Sequence, residues 1–222
     1  MTTAIFANGE YEDDAYYQER FARATRVIAA DGGYAFLHRH GLTPEALVGD
    51  FDSLPEDLVA AADAAGVAIV RRPARKDQTD TELAVAEALE RGARAIELLG
   101  ALGGRPDHLL GHVAVLRGLE LRGVPAWIAS PRLVLRVFWA PTSVTLDAPP
   151  GVVVSFQSLA PTSVLTLRGL EYAVTNAPLA AESCLGLSNV VAAGPEPARF
   201  VLKAGVIIAT VWDGDERFGR RA

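Results

Sequence analysis

Two carboxylates two residues apart, Asp50 and Asp52 in Val48-Gly49-Asp50-Phe51-Asp52-Ser53, end an apolar run and open a loop. Like charges held that close are costly unless water, a cation or basic groups compensate them. Asp31 leaves the run Val27-Ile28-Ala29-Ala30 in the same way, and Asp77 and Asp80 follow in Lys76-Asp77-Gln78-Thr79-Asp80. With no Cys or His beside Asp31, Asp50 or Asp52, an oxygen-preferring cation such as Mg²⁺ suits these acids better than zinc. A single Asp after a strand is an ordinary turn former or helix cap. Four such sites in one half of a chain point instead to a metal site.

Basic and glycine-rich partners stand close by in sequence. Lys76, one of only two lysines, offers a compact ammonium for a phosphate oxygen, against the plainer reading of a solvated loop cation. Thr79 and Asp80 precede a helical run that either could cap. In Gly100-Ala101-Leu102-Gly103-Gly104-Arg105-Pro106-Asp107-His108, Gly103 and Gly104 free backbone N–H groups to approach an anion, and Arg105 presents a fork of donors. The stretch is neither G-x-G-x-x-G nor a Walker A sequence, so as a generic motif it is weak. Asp107 also serves as an ordinary helix-start residue. His108 and His112, four apart, lack the intervening Glu of a metalloprotease helix, which argues against zinc. Ser188-Asn189, after Gly186, are turn-like residues able to bond a polar ligand or simply satisfy their own loop.

The elements that must position these groups alternate. Strands are expected at Thr3–Ala7, Arg26–Ala30, Glu45–Gly49, Val67–Val70, Ala95–Leu99 and Ala126–Ala129. Helices are expected between them, including Thr79–Arg91 with Leu83, Ala86 and Leu89 inward, and Asp107–Arg122. That grammar predicts a mostly parallel sheet with helices on both faces. Ligands gather at the carboxyl ends of such strands, where Asp31, Asp50 and Asp52 all fall. After Pro131 the pattern changes to β-rich segments: Leu133–Trp139, Ser143–Leu146, Val152–Gln157, Ser163–Leu167, Glu171–Val174 and Phe200–Trp212. These predict a smaller antiparallel β-sandwich over 136–222, following an α/β domain over 1–135.

A net charge of −6 and a pI near 5.3 argue against a nucleic-acid partner and favour a cationic small molecule. Cys184 stands alone, and no apolar run reaches membrane-spanning length. Together with an N-terminus unlike a secretion signal, this composition leads us to expect a soluble cytoplasmic protein.

As a set, Ala30-Asp31-Gly32-Gly33, Gly49-Asp50-Phe51-Asp52-Ser53, Lys76-Asp77-Gln78-Thr79-Asp80, Gly103-Gly104-Arg105-Pro106-Asp107-His108 and Ser188-Asn189 after Gly169-Leu170-Glu171-Tyr172 resemble the thiamine pyrophosphokinase family. The stretches stand in that family's order and span most of the chain. The resemblance implies transfer of the pyrophosphoryl group of ATP to the thiamine hydroxyl, with Mg²⁺, in a homodimer whose thiamine site is shared between subunits. It implies Asp50, Asp52 and Asp80, with Asp31, as metal ligands. Lys76, Thr79, Gly103, Gly104 and Arg105 fall to ATP, Asp107 lines the site and joins Asp50, Asp52 and Asp80 as its catalytic acids, and Ser188 with Asn189 fall to thiamine. The sandwich would contribute to thiamine binding and dimerisation. His112 departs from the family pattern, where an Asn is expected. Three other readings share these residues: a pyrophosphokinase for another hydroxymethyl heterocycle, a phosphatase built on Asp50-x-Asp52, and a nucleotide-binding sensor without turnover.

Overall fold

In the computed structural model, residues 1–72, 78–213 and 218–221 are described, and they fall into two compact units, Met1–Ser130 and Pro131–Ala222. The first contains strands β1 (Thr2–Phe6), β2 (Arg26–Ala30), β3 (Ala46–Gly49), β4 (Ala68–Arg71), β5 (Ala95–Leu99) and β6 (Ala126–Ala129). Its helices are α1 (Asp14–Arg23), α2 (Gly33–Arg39), α3 (Glu56–Ala64), α4 (Asp80–Glu90) and α5 (Pro106–Leu121). The strands pair in parallel in the order β6-β5-β1-β2-β3-β4. Ile5, Ile28, Leu47, Ile96 and Leu98 have no exposed surface. Such near-continuous apolar strands are what a parallel sheet buried on both faces demands.

The order of the strands matters for the site. From β1 the chain steps through β2, β3 and β4 on one side, then returns to place β5 and β6 on the other. The reversal lies between β1 and β5, and at such a switch point the loops leaving the strands diverge and open a crevice.

Helix α4 runs against β1, β2 and β3. Its buried residues are Thr81, Leu83, Ala84, Val85, Glu87 and Ala88; Leu83 faces inward as expected, while Ala86 and Leu89 are only half-buried. Ala84 and Ala88, both without exposure, let the helix lie close to the sheet, so small residues share its inward face with Leu83 and Val85. Thr79 starts α4 through a capping box: its hydroxyl accepts from Glu82 N, and Glu82 Oε2 accepts from Thr79 N at 2.8 Å.

The second unit is antiparallel throughout its described pairings. Strands β7 (Val134–Trp139), β8 (Thr142–Leu146), β9 (Val153–Ser158), β10 (Thr162–Arg168), β11 (Val174–Ala180), β12 (Asn189–Val190), β13 (Arg199–Ala204), β14 (Val206–Trp212) and β15 (Phe218–Arg221) form two sheets. One runs β12-β9-β14-β7, the other β11-β10-β13-β8-β15. Rings join them: Phe200 meets Phe138 and Phe156 at centroid distances of 5.0 and 5.3 Å, and Phe218 meets Phe138 at 5.3 Å.

Two expected strands differ. Phe200–Trp212 is two strands, because Gly205 at φ +88° turns the chain between β13 and β14. Glu171–Val174 is mostly turn, and the strand there is Val174–Ala180. Asn176 and Pro178 hid it. Pro178 is tolerated because β11 is an edge strand paired only to β10.

Phe200→Ala is expected to lower the unfolding free energy by about 3–5 kcal/mol, since it opens the middle of this ring cluster. Urea denaturation measures it, and a loss below about 1 kcal/mol would remove Phe200 from the centre of the sandwich core.

Candidate active site

A cavity of about 400 Å³ lies in the first unit, lined by residues that include Asn8, Asp31, Ser53, Thr79, Asp80, Gly103, Gly104, Arg105, His108 and His112. The parallel register brings the carboxyl ends of the strands level: Phe6 pairs Leu99 and Ala29, Ala30 pairs Val48, and Gly49 pairs Arg71. The loops that follow β1, β2, β3 and β5 therefore meet at the switch point, with the start of α4 beside them.

Gly49 is the place in this convergence where β3 passes between acidic side chains. A Cβ there would stand 3.1 Å from Asp31 Cβ and 3.2 Å from Asp80 Oδ1. A side chain there would have to push one of these neighbours aside, so glycine lets the end of β3 pass between the two aspartates as they stand. Phe51, at φ +65° and buried, then anchors the loop, its ring lying under the Arg71 guanidinium at 4.8 Å. Such a conformation is rare for a bulky residue and points to a functional constraint. With Phe51 turned inward, Asp50 and Asp52 sit on a short turn in which Asp50 Oδ1 accepts Asp52 N at 3.0 Å and Asp52 Oδ1 accepts the Ser53 hydroxyl at 3.0 Å.

The electrostatics tie the four acids together. Asp31 is 2% exposed, and its Oδ1 has no hydrogen-bond partner. Burial first, and the charge of Asp80 second, push its carboxyl up to about 6, while Ser53 and the Gly32 backbone pull the other way. Burial, and then the charge of Asp50, also raise Asp80. Asp52 adds to both shifts. Among the described residues no three acidic, imidazole or thiol groups converge closely enough to ligate one ion as the side chains stand. Four mutually repelling carboxylates, one with a buried oxygen lacking a partner, nonetheless form the donor set an oxygen-preferring cation takes.

The glycine-rich loop closes the other side. Gly103 and Gly104 line the cavity at φ +80° and +63°. Arg105 also lines it, but its guanidinium is held by Asp107, with Nε donating to Oδ1 at 3.1 Å. Asp107 is exposed and does not line the cavity, and its hydrogen bond from Arg105 holds its carboxyl below the usual range. Asp50 and Asp52 are likewise outside the lining, acting on it through charge. Lys76 and Asp77 lie outside the described residues.

Asn8, to which the sequence gave no part, lines the cavity, and so does His112, which stood out there only as an unsuitable zinc ligand and a departure from the family pattern. Asn8-Gly9 reads as a turn, yet its position at the end of the strand beside the switch point was the available signal. His112 is buried. Its Nδ1–H donates to Ala101 O at 2.9 Å, which leaves Nε2 to accept the Thr81 hydroxyl at 3.2 Å. Burial holds this imidazole below its usual range, so it is a neutral brace between α4, α5 and the glycine-rich loop.

Ser188 and Asn189 belong to the second unit. Asn189, 5% exposed, is engaged with backbone: Oδ1 accepts Tyr172 N and Val190 N, and Nδ2 donates to Tyr172 O at 3.0 Å. Ser188 is exposed at φ +56°, its N–H donating to Ser155 Oγ.

Asp31 gives a pH test. Its folded value near 6 lies above the ordinary 3.8. Between them the folded chain keeps a proton the unfolded chain has released, so stability falls as pH rises through that window. Asp31→Asn is therefore expected to be more stable than the parent by about 1–3 kcal/mol at pH 7 and equal to it near pH 4, in denaturant titrations without divalent ions. A gap that ignores pH would separate Asp31 from this charge cluster.

Comparison with known proteins agrees with this fold. Residues 17–128 match the family described as thiamin pyrophosphokinase, catalytic domain, and residues 143–207 match thiamin pyrophosphokinase, vitamin B1 binding domain. The thiamine pyrophosphokinase of Bacillus subtilis (strain 168) is 39% identical over 92 residues, a stretch that spans 41% of this chain and 43% of that relative. A crystal structure of thiamine pyrophosphokinase from Bacillus subtilis superposes with a TM-score of 0.82 at 26% identity, covering 97% of this chain and 100% of that one. One from Geobacillus thermodenitrificans gives 0.79 at 32% identity, over 98% and 100%.

Proposed function

The chain belongs to the thiamin pyrophosphokinase family, and from that premise we propose that it transfers the pyrophosphoryl group of ATP to the hydroxyl of thiamine, giving thiamine diphosphate and AMP. The observation that carries the reading is the convergence of Asp31 and Asp80 on either side of Gly49, within electrostatic range of Asp50 and Asp52. Carboxylates so placed repel one another and each would repel a polyphosphate, so the arrangement suits a cation that both can share.

Mg²⁺ fits this donor set, and Asp31, Asp50, Asp52 and Asp80 would hold it. When bound it supplies charge neutralisation for the polyphosphate and polarises the phosphoryl oxygens. The chain's own groups do the rest. Gly103 and Gly104 N–H groups and the Arg105 guanidinium bind phosphate oxygens, Lys76 adds a point charge, and Thr79 holds the start of α4 so that Asp80 faces the cavity. Asp107 releases Arg105 to the phosphates. The thiamine oxygen attacks the β-phosphorus as the bond from that phosphorus to the α–β bridging oxygen breaks. The hydroxyl proton passes to a carboxylate of the cluster, and AMP leaves.

The second unit binds the acceptor. Ser188 contacts thiamine directly, while Asn189 shapes that wall through Tyr172. The surplus negative charge of the chain attracts the thiazolium cation. The active form is a cytoplasmic homodimer with shared sites.

The assay is incubation with ATP, Mg²⁺ and thiamine, followed by identification of products. AMP and thiamine diphosphate in equal amounts are expected. Inorganic phosphate without an acceptor product would instead indicate the Asp50-x-Asp52 phosphatase, and binding without AMP a sensor. Asp50→Asn is expected to reduce Mg²⁺-dependent AMP formation at least about 100-fold while leaving the circular dichroism spectrum unchanged. Near-normal turnover would take Asp50 out of the mechanism.

A further inference from the structure

The phosphate-binding side of the cavity is already occupied by carboxylates of the chain itself. Glu10 Oε1 accepts the Gly104 N–H at 3.0 Å, and Arg105 is held by Asp107. Gly103 is shaped by the same contact: a Cβ on it would stand 2.5 Å from Glu10 Oε2. Glu10 is a surface residue, outside the buried core and outside the acidic cluster. Neither the resemblance nor the charge pattern of the sequence gave it a part.

We infer that the Glu10 carboxylate is a built-in competitor for the polyphosphate and thereby sets the affinity of this chain for its nucleotide. The inference rests on the reading of the Gly103-Gly104 loop as a phosphate cradle. One N–H is satisfied by one acceptor, so a phosphate oxygen takes the Gly104 amide only when Glu10 has swung away. While Glu10 remains, its charge also opposes the incoming anion. The competent fraction of molecules is therefore less than one, and the apparent dissociation constant rises by its reciprocal.

The alternative, that Glu10 is needed to hold the loop in place, fits the contacts less well. The two loops are joined by backbone independently of that side chain: Glu10 N donates to Leu102 O at 3.2 Å, and Gly9 packs directly on Gly100 O. Removing the carboxylate leaves both joints. The two roles predict opposite signs, since a competitor when removed strengthens nucleotide binding and a brace when removed weakens it.

The experiment is calorimetric titration of the full chain with α,β-methylene-ATP and Mg²⁺, an analogue that cannot donate its pyrophosphoryl group. Glu10→Gln and Glu10→Ala are expected to bind it more tightly by about three- to tenfold, the alanine at least as much as the glutamine. Glu19→Gln removes one surface charge from an ion pair with Arg23 on α1, and is expected to leave the affinity unchanged, which separates local competition from net charge. Steady-state kinetics should show the same fall in KM for ATP with KM for thiamine unmoved. Unchanged or weaker binding by both Glu10 variants, with the parent chain binding normally, overturns the competitor role and leaves the enzymatic reading standing. No binding by parent and variants alike overturns both. Binding that appears only in the variants supports the inference in its strongest form.

Discussion

The close passage of β3 between two aspartates at Gly49 is the constraint on which the site depends. A protein interior resists a second carboxylate near the first, because each loses hydration and gains a like charge. Here the backbone imposes that arrangement: the parallel register levels the ends of β2 and β3, small residues let α4 approach the sheet, and an absent side chain at Gly49 leaves room. The raised carboxyls of Asp31 and Asp80 are the physical signature of this enforced proximity. A fold that tolerates such strain at one point and is otherwise filled with apolar strands concentrates its chemistry there.

Much of this was legible in the sequence. The alternation of apolar runs with helix-length segments defined the first unit, because parallel strands buried on both faces read as continuous hydrophobic stretches. Asp31 and the Asp50/Asp52 pair were visible because each ends such a run. What the letters did not show was direction. The face of α4 includes alanines whose smallness matters only once a sheet lies beneath them, and Asp107 points to Arg105 instead of into the cavity. In the second unit, Pro178 and Asn176 concealed an edge strand whose tolerance of proline depends on having one neighbour, a property no single segment carries. Asn189, a polar residue after a turn, reads as a ligand contact until its amide is seen to be engaged with the Tyr172 backbone.

The same loop chemistry works in both directions. Glycines that would admit a phosphate under the proposed function already admit one of the chain's own carboxylates, and Arg105 finds an anion in its next-but-one neighbour. Exposed pairs of this kind contribute little to stability. Their effect is on what else is able to bind, so the resting occupancy of the loop belongs with its specificity as much as with its structure.

The reversal of strand order carries a consequence for how the chain acquires its pocket. Asp31, Gly49 and Asp80 come from β2, β3 and the start of α4, all of which leave the ribosome before β5. The glycine-rich loop arrives later, and β5 must insert beside β1 across a separation of roughly ninety residues. The acidic half of the cavity is thus synthesised first, with the open flank of β1 unpaired until the fifth strand docks. Closure of the glycine-rich side of the cavity therefore waits on a long-range pairing, and contacts of that kind are the slow ones to form.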